Sequence, residues 1–295
     1  MFTIIKNIKD YEPALVNKIF DYVFVPCSED TEGKHKYIRA MIALGTNTIS
    51  EKAFYDNKTL EWVIIDDSVV TICNCAFNVC SKLTHINIPD SVETIGTCAF
   101  NRCSKLTHVT IPDSVKTIGD YAFYDCMALV HVTIPDSVKT IGNGAFNWCS
   151  KLSYITIPNS VKTIGKYAFT RCSNMTQVSI GNSVKTIDDF AFTGCSSMTH
   201  MSIGNSVKTI NIYAFNGCSK LTSIIIPDSV ETIGNYSFTW CSELTKMIIP
   251  DSVKTIGCDV FYGCSKLTHV TIPCHLKEQV KENNVFPEHT NVIVR

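Results

Sequence analysis

Apolar and polar positions recur along this chain with a period of 23 residues. The segment Ile111–Gly119 reads IPDSVKTIG, and the same nine letters begin again at Ile134. Identical or nearly identical copies begin at Ile88, Ile157, Ile226 and Ile249. A fixed period of this length is typical of repeat architectures, in which one unit buries its apolar side chains only by stacking on its neighbours.

Each unit contains one segment in which apolar and polar residues alternate, as in Leu106–Ile111. Alternation is the pattern of a strand, so we expect one short strand per unit. The Pro-Asp-Ser that follows is expected to turn the chain. The ninth position of the unit is usually glycine, with Asp188 and Asn211 in two units, and we expect a second tight corner with positive φ there.

Two further positions keep one residue type through most of the repeat, phenylalanine at one and cysteine at the other, and stacking would align each of them into a buried column. Because the sequence shows no export signal, we interpret the cysteines as reduced thiols. The phenylalanines are Phe54, Phe77, Phe100, Phe123, Phe146, Phe169, Phe192, Phe215, Phe238 and Phe261. The cysteines are Cys80, Cys103, Cys126, Cys149, Cys172, Cys195, Cys218, Cys241 and Cys264.

The repeated motifs I-P-x-S-V, I-G-x-x-A-F and C-x-x-L resemble the BspA-like, or Treponema pallidum type, leucine-rich repeat. The resemblance covers about Ile42 to Ile272. It implies a mainly β repeat solenoid, a right-handed leucine-rich-repeat coil with a parallel sheet on one face and short irregular or extended segments opposite. It also implies a binding scaffold, and members of the family are often exported surface proteins and adhesins.

The repeat divides the chain into three parts: residues 1–41, residues 42–271 with about ten 23-residue units, and residues 272–295. Residues 1–41 are expected to form a small helical N-terminal cap or a short effector segment, because Pro13 and the apolar residues up to about Phe24 predict an amphipathic helix. The last part is a C-terminal cap, in which His275–Lys281 predicts a short helix and Asn291–Val294 a closing strand.

Composition excludes several classes of protein. A net charge of −1 argues against a nucleic-acid-binding protein. No apolar run is long enough to span a bilayer, and the N-terminus lacks the pattern of a secretory signal, so we expect a cytoplasmic protein without membrane association. No phosphate-binding loop, nucleophile elbow or metalloprotease helix occurs, so we expect neither an enzyme nor a cofactor.

The outward residues of the predicted strands form the candidate binding surface, to which we expect a monomeric chain to bind a partner protein. Five of the eight histidines share one outward column, and successive histidines suit a transition metal or a titration near neutral pH. Repeat copying alone spreads a residue down a column, so we predict no metal site. The predicted partner-binding column is His85, His108, His131, Tyr154, Gln177, His200, Lys246 and His269.

A second exposed column is basic and is flanked by Glu93 and Glu231. It is interpreted as a solvated edge or, alternatively, as a dock for an acidic partner. Its lysines are Lys116, Lys139, Lys162, Lys185 and Lys208.

Other functions stay open at this stage. An adhesin exported by an unrecognised route is one alternative. A ubiquitin-ligase substrate adaptor is another, because the stretch EPALVNKIFDYV resembles the first helix of an F-box. Cys75 and Cys98 share an outer position on adjacent units, which leaves a disulfide or part of a zinc site open.

Overall fold

The chain winds into a stack of coils whose strands pair in parallel with the strands of the next coil. The computed structural model describes residues 23–25, 39–42 and 47–295. A typical coil of the repeat contributes two short strands, which belong to two separate ladders along the stack. The mainly β repeat solenoid predicted from the 23-residue period is therefore confirmed.

The first ladder contains the segments in which apolar and polar residues alternate, and we call its members the face strands. They pair in four hydrogen-bonded groups of four, two, three and three strands. The segment around Ile224 occupies the same place in its coil but is not a strand, contrary to expectation, although Ile224 is buried. The face strands are Val23–Val25, Arg39–Ile42, Trp62–Ile64, His85–Asn87, His108–Thr110, His131–Thr133, Tyr154–Ile157, Gln177–Ile180, His200–Ser202, Lys246–Ile248, His269–Ile272 and Asn291–Val294.

The second ladder is a continuous ten-stranded parallel sheet made of two-residue strands. Each strand is a Thr-Ile pair whose isoleucine is buried, so the ladder supplies a regular wall of the core. These Thr-Ile strands are Thr48–Ile49, Thr71–Ile72, Thr94–Ile95, Thr117–Ile118, Thr140–Ile141, Thr163–Ile164, Thr186–Ile187, Thr209–Ile210, Thr232–Ile233 and Thr255–Ile256.

The phenylalanine column forms a ladder of stacked rings through the core. Phe146, for example, lies 5.3 Å from Phe123 and 5.4 Å from Phe169 between ring centroids, with nearly parallel planes. All ten predicted members are buried, and the ring of Phe286 continues the ladder beyond Phe261 at 5.1 Å. The predicted aromatic column is confirmed, and the C-terminal segment extends it by one ring.

The cysteine column is fully buried, as predicted, and each thiol has a defined hydrogen bond. The Sγ–H of Cys149 donates to the carbonyl oxygen of Phe123 in the preceding coil at 3.1 Å. The same bond recurs in every coil of the column, at up to 3.4 Å between Cys241 and Phe215. A cysteine thus fills a small apolar space and also donates to a carbonyl group of the neighbouring coil.

The expectation of positive φ at the ninth position of the unit is wrong. Among the described residues, Gly119 and Gly142 are both absent from the set with positive φ, as are the other glycines of that column. Glycine is needed there because successive coils approach closely: a Cβ on Gly142 would lie 2.6 Å from the carbonyl carbon of Gly119.

The left-handed corners of the coil fall instead on two other positions, which flank the Ala-Phe pair. The first of them carries Tyr167, Phe190, Tyr213 and Tyr236 in four successive coils, with φ between 55° and 60°. Their rings stack at 4.8–4.9 Å, which forms a second, partly exposed aromatic ladder. This contact offsets part of the cost of a left-handed backbone in residues other than glycine.

The N-terminal region departs from the predicted helix where it is described. Val23–Val25 is a strand, although the helix was expected to reach about Phe24, and it pairs with Arg39–Ile42, which in turn pairs with Trp62–Ile64. The β-branched and aromatic residues of Val-Phe-Val suit a strand that extends an existing ladder. The rest of the predicted helix from Pro13, and with it the F-box-like stretch, lies outside the described residues.

The C-terminal segment contains the predicted helix and strand. A short 3-10 turn, Cys274–Leu276, leads into the helix Lys277–Glu282, and Asn291–Val294 pairs in parallel with His269–Ile272. The side chain of Asn283 donates to the carbonyl oxygen of Ile256 at 2.8 Å, on the last Thr-Ile strand. The segment therefore covers the end of the core and satisfies part of the open edge of the second ladder.

Candidate interaction surface

The face strands hold a regular set of side chains outside the coil. In His108–Thr110 the central valine is buried and the two flanking side chains are exposed, and the same pattern holds in His131–Thr133. The two strands pair in register, His108 with His131. We call the outward side chains of the face strands, together with those of the segment Ser223–Ile225 that takes the same place in its coil, the sheet face. All eight residues of the predicted partner-binding column lie on it and are exposed.

Rings on neighbouring coils lie close together at several places in the outward column. The ring centroids of His108 and His131 are 6.0 Å apart, and those of His131 and Tyr154 are 5.0 Å apart. Sequence reasoning missed one member at the N-terminal end: Trp62 is in register with His85, at 5.2 Å between ring centroids. Alignment of Leu60–Ile65 with the later units would have found it.

Hydrogen bonds to threonine fix the orientation of several histidine rings. The hydroxyl of Thr84 donates to the carbonyl oxygen of Glu61 at 2.9 Å, so its oxygen accepts from Nδ1–H of His85 at 2.9 Å. The same arrangement holds for Thr199 with His200. Because a hydroxyl has a single proton, this pattern makes Nδ1 of each ring a donor, and in the neutral imidazole Nε2 is then an acceptor. Thr268 and His269 repeat it.

Two isoleucines add an apolar area to the sheet face near its C-terminal end. Ile225 is 82% exposed and Ile248, on the next coil, is 62% exposed. Polar side chains, Ser223 and Lys246, lie beside them in the neighbouring outward column. Large exposed apolar side chains on successive coils, rimmed by polar residues, are typical of an interaction site.

The sheet face presents side chains of several chemical types. It combines oriented imidazole rings, threonine and serine hydroxyls, aromatic rings and exposed aliphatic side chains. In the described ranges, no group of three His, Cys, Asp or Glu residues is placed to hold a metal ion. Cys75 and Cys98 are half-buried free thiols on successive coils.

None of the helices in the described ranges has the length and apolarity needed to cross a membrane.

The comparison with protein families gave a match over most of the chain. The model described as the BspA type leucine rich repeat region matches residues 47–176 and again residues 162–292. A search of curated proteins found no significant match.

Several solved structures with the same fold come from bacteria. A leucine rich cell surface protein from Faecalibacterium prausnitzii is 25% identical, with 93% of this chain and 87% of that chain covered and a TM-score of 0.53. A leucine-rich repeat protein from Eubacterium ventriosum is 23% identical, with 79% and 78% covered and a TM-score of 0.57. The pneumococcal vaccine antigen PcpA is 20% identical, with 93% and 82% covered and a TM-score of 0.54. The last two similarities show the fold alone.

Proposed function

This chain belongs to the BspA-type leucine-rich repeat family, and we propose that it is a non-catalytic scaffold that binds a partner protein through its sheet face. Leucine-rich repeat proteins commonly serve protein–protein interaction or surface adhesion, and they are typically not enzymes. The solenoid gives this chain a long, regular surface on a rigid core, which suits recognition of another protein.

The observation that carries the proposal is the exposure of Ile225 and Ile248 on the sheet face, beside the outward column that contains the histidines and Tyr154. An exposed apolar side chain is informative when it belongs to a patch, and these two lie on successive coils. The tethered histidines and Tyr154 supply polar and aromatic contacts along the rest of the surface. Rigid aromatic groups lose little conformational entropy on binding, which favours their use in recognition.

Replacement of both isoleucines by aspartate, Ile225→Asp with Ile248→Asp, is expected to weaken partner binding by about 100-fold. Burial of each isoleucine in an interface contributes roughly 1.5 kcal/mol or more, and 1.4 kcal/mol corresponds to a factor of ten in affinity. The measurement is quantitative affinity capture from a native extract, with mass spectrometry of each captured protein over a range of bait concentrations.

The matched control is Ile212→Asp, which makes the same change at an isoleucine that is 40% exposed and lies outside the face strands. A partner of the sheet face is retained by this control and lost by the double variant, while both variants keep the wild-type melting temperature. Equal capture by the wild-type chain and the double variant would exclude these isoleucines from the interface.

A second candidate function is surface adhesion. It is favoured by the similarity to the protein from Faecalibacterium prausnitzii, which is described as a cell surface protein. Adhesion uses the same sheet face but with a partner outside the cell. Protease treatment of intact source cells separates the two functions, because only a surface-displayed chain is degraded.

A further inference from the structure

The lysine column beside the Thr-Ile strands is neutralised at both ends. Lys116 Nζ lies 2.8 Å from a carboxylate oxygen of Glu93. At the other end, Glu231 accepts from Lys254 at 2.8 Å and from Lys208 at 2.9 Å. Lys254 and Lys208 hold the pKa of Glu231 down at about 2, so this carboxylate stays charged beside them. Two of the five lysines predicted to form an acidic-partner edge are thus already paired.

The three lysines in the middle of the column differ from those at its ends because they are not paired with a carboxylate of the described residues. Among the residues that the structure describes, Lys139, Lys162 and Lys185 form no ion pair, although all three are exposed. They lie on successive coils: the backbone N–H of Lys162 donates to the carbonyl oxygen of Lys139 at 2.9 Å, and the strands that follow Lys162 and Lys185 pair in register. Three uncompensated ammonium groups therefore follow one another at the coil spacing of about 4.8 Å.

The neighbouring turn loses its negative charge in the same region. Asn159, Asn182 and Asn205 occupy the third position of the unit in three successive coils, and all three are exposed. The side-chain oxygens of Asn159 and Asn182 accept from the backbone N–H of the next asparagine at 2.7 and 2.8 Å, which leaves their amide N–H groups as donors. Aspartate occupies this position in other coils, at Asp67, Asp90, Asp113, Asp136, Asp228 and Asp251.

The two acidic residues that follow Lys185 in its coil already have hydrogen-bonding partners. Asp189 accepts from Lys166 Nζ at 2.8 Å. Asp188 accepts from the side chain of Asn211 at 2.9 Å. In the described coils of Lys139, Lys162 and Lys185, the one exposed aspartate left in the turn is Asp136, in the coil of Lys139.

We propose that this surface binds an acidic helix of a partner protein, laid along the solenoid axis. The surface, which we call the basic strip, consists of Lys139, Lys162, Lys185, Asn159, Asn182 and Asn205. Carboxylates three and four residues apart on a helix are about 5–6 Å apart, which matches the coil spacing. Residues on one side of an extended strand are spaced by more than 6 Å and match it less well.

A protein partner is favoured over a nucleic acid because the chain has a net charge of −1. The unpaired lysines of this column form a short strip of three groups, whereas a protein that binds nucleic acid distributes many cationic groups along the phosphate backbone. The basic strip is separate from the sheet face, so this proposal does not depend on the sheet-face function.

The test is fluorescence anisotropy with a labelled alanine-rich helical peptide that carries glutamate at i, i+4 and i+7. The full chain is compared with the triple variant Lys139→Gln, Lys162→Gln, Lys185→Gln. The matched control is Lys82→Gln, Lys105→Gln, Lys151→Gln, which removes the same charge from three exposed lysines that make no ion pair in the described part of the chain. A peptide of the same composition with glutamates around the whole helix controls for the spacing.

We expect the strip variant to bind the striped peptide about tenfold more weakly, and the control variant to bind it as the wild-type chain does. Binding should weaken between about 50 mM and about 500 mM salt, because these charges are exposed. Equal losses in the two triple variants would overturn the proposal, as would equal binding of the two peptides. Tighter, strip-dependent binding of single-stranded oligothymidylate would also overturn it, in favour of a nucleic acid.

Discussion

The solenoid is expected to unfold steeply between about pH 9 and pH 10, because its buried thiols cannot ionise in the folded state. Burial in the core raises the pKa of eight thiols of the cysteine column, to about 12 for Cys195. The thiolate would be desolvated, and the hydrogen bond to the phenylalanine carbonyl of the preceding coil would be lost. The raised pKa applies to Cys80, Cys103, Cys126, Cys149, Cys172, Cys195, Cys218 and Cys241.

The sign of the effect follows from proton linkage. Above its ordinary pKa of about 9, an unfolded thiol loses its proton while the folded one keeps it, so stability is full below pH 9 and falls as the pH rises. Each thiol costs about 1.4 kcal/mol at pH 10, and eight thiols together cost roughly 11 kcal/mol. That cost is comparable with the whole stability of a typical domain, about 5–15 kcal/mol.

The measurement is the free energy of unfolding by urea, in the presence of reductant, at half-unit steps from pH 7 to pH 10. The variant Cys149→Ala with Cys172→Ala should show a shallower loss with pH, by about 2.8 kcal/mol at pH 10. The control Cys258→Ser with Cys274→Ser removes two exposed thiols and should leave the dependence unchanged. A free energy of unfolding that is constant from pH 8 to pH 10 would contradict the burial of this column.

Phe146→Ala is expected to reduce the free energy of unfolding by about 3–5 kcal/mol. The ring is fully buried and stacks on Phe123 and Phe169, so its removal leaves a cavity in the middle of the ladder. In a repeat protein each coil is stabilised by its neighbours, and a defect at the centre weakens both halves. Urea unfolding followed by far-ultraviolet circular dichroism gives the difference.

The matched control for this change is Tyr154→Ala, which removes an aromatic ring that is 50% exposed on the sheet face. It should change the free energy of unfolding by no more than about 0.5 kcal/mol. Similar values for the two variants would show that the phenylalanine ladder does not hold the coils together.

The sequence was sufficient for features that depend on the period alone. One residue per coil in each column, at a fixed spacing, predicts which side chains stack, and both the Phe146 ring and the Cys149 thiol are buried as expected. The exposure of His108 and His131 follows in the same way from the alternation of their strands. The C-terminal helix and strand were also predictable, because that part of the chain departs from the repeat.

The backbone conformation of the corners was not predictable from residue type. Left-handed φ occurs at Tyr213 and at Trp148, which are residue types with no preference for it, because the closed shape of the coil imposes the turn. Conversely, glycine at position 142 suggested a corner but is needed for the close approach of two backbones. The division of the lysines into paired and unpaired members depends on side-chain distances across coils, such as that between Lys116 and Glu93.

Site-specific photocrosslinking tests most directly whether the sheet face binds the partner. A photoreactive phenylalanine analogue at Gln177, an exposed position in the middle of the sheet face, is compared with the same residue at Lys151, which is exposed outside the face strands. After irradiation in a native extract, we expect a discrete crosslinked protein from position 177 and none from position 151. The same crosslinked protein from both positions, or from position 151 alone, would contradict binding through the sheet face.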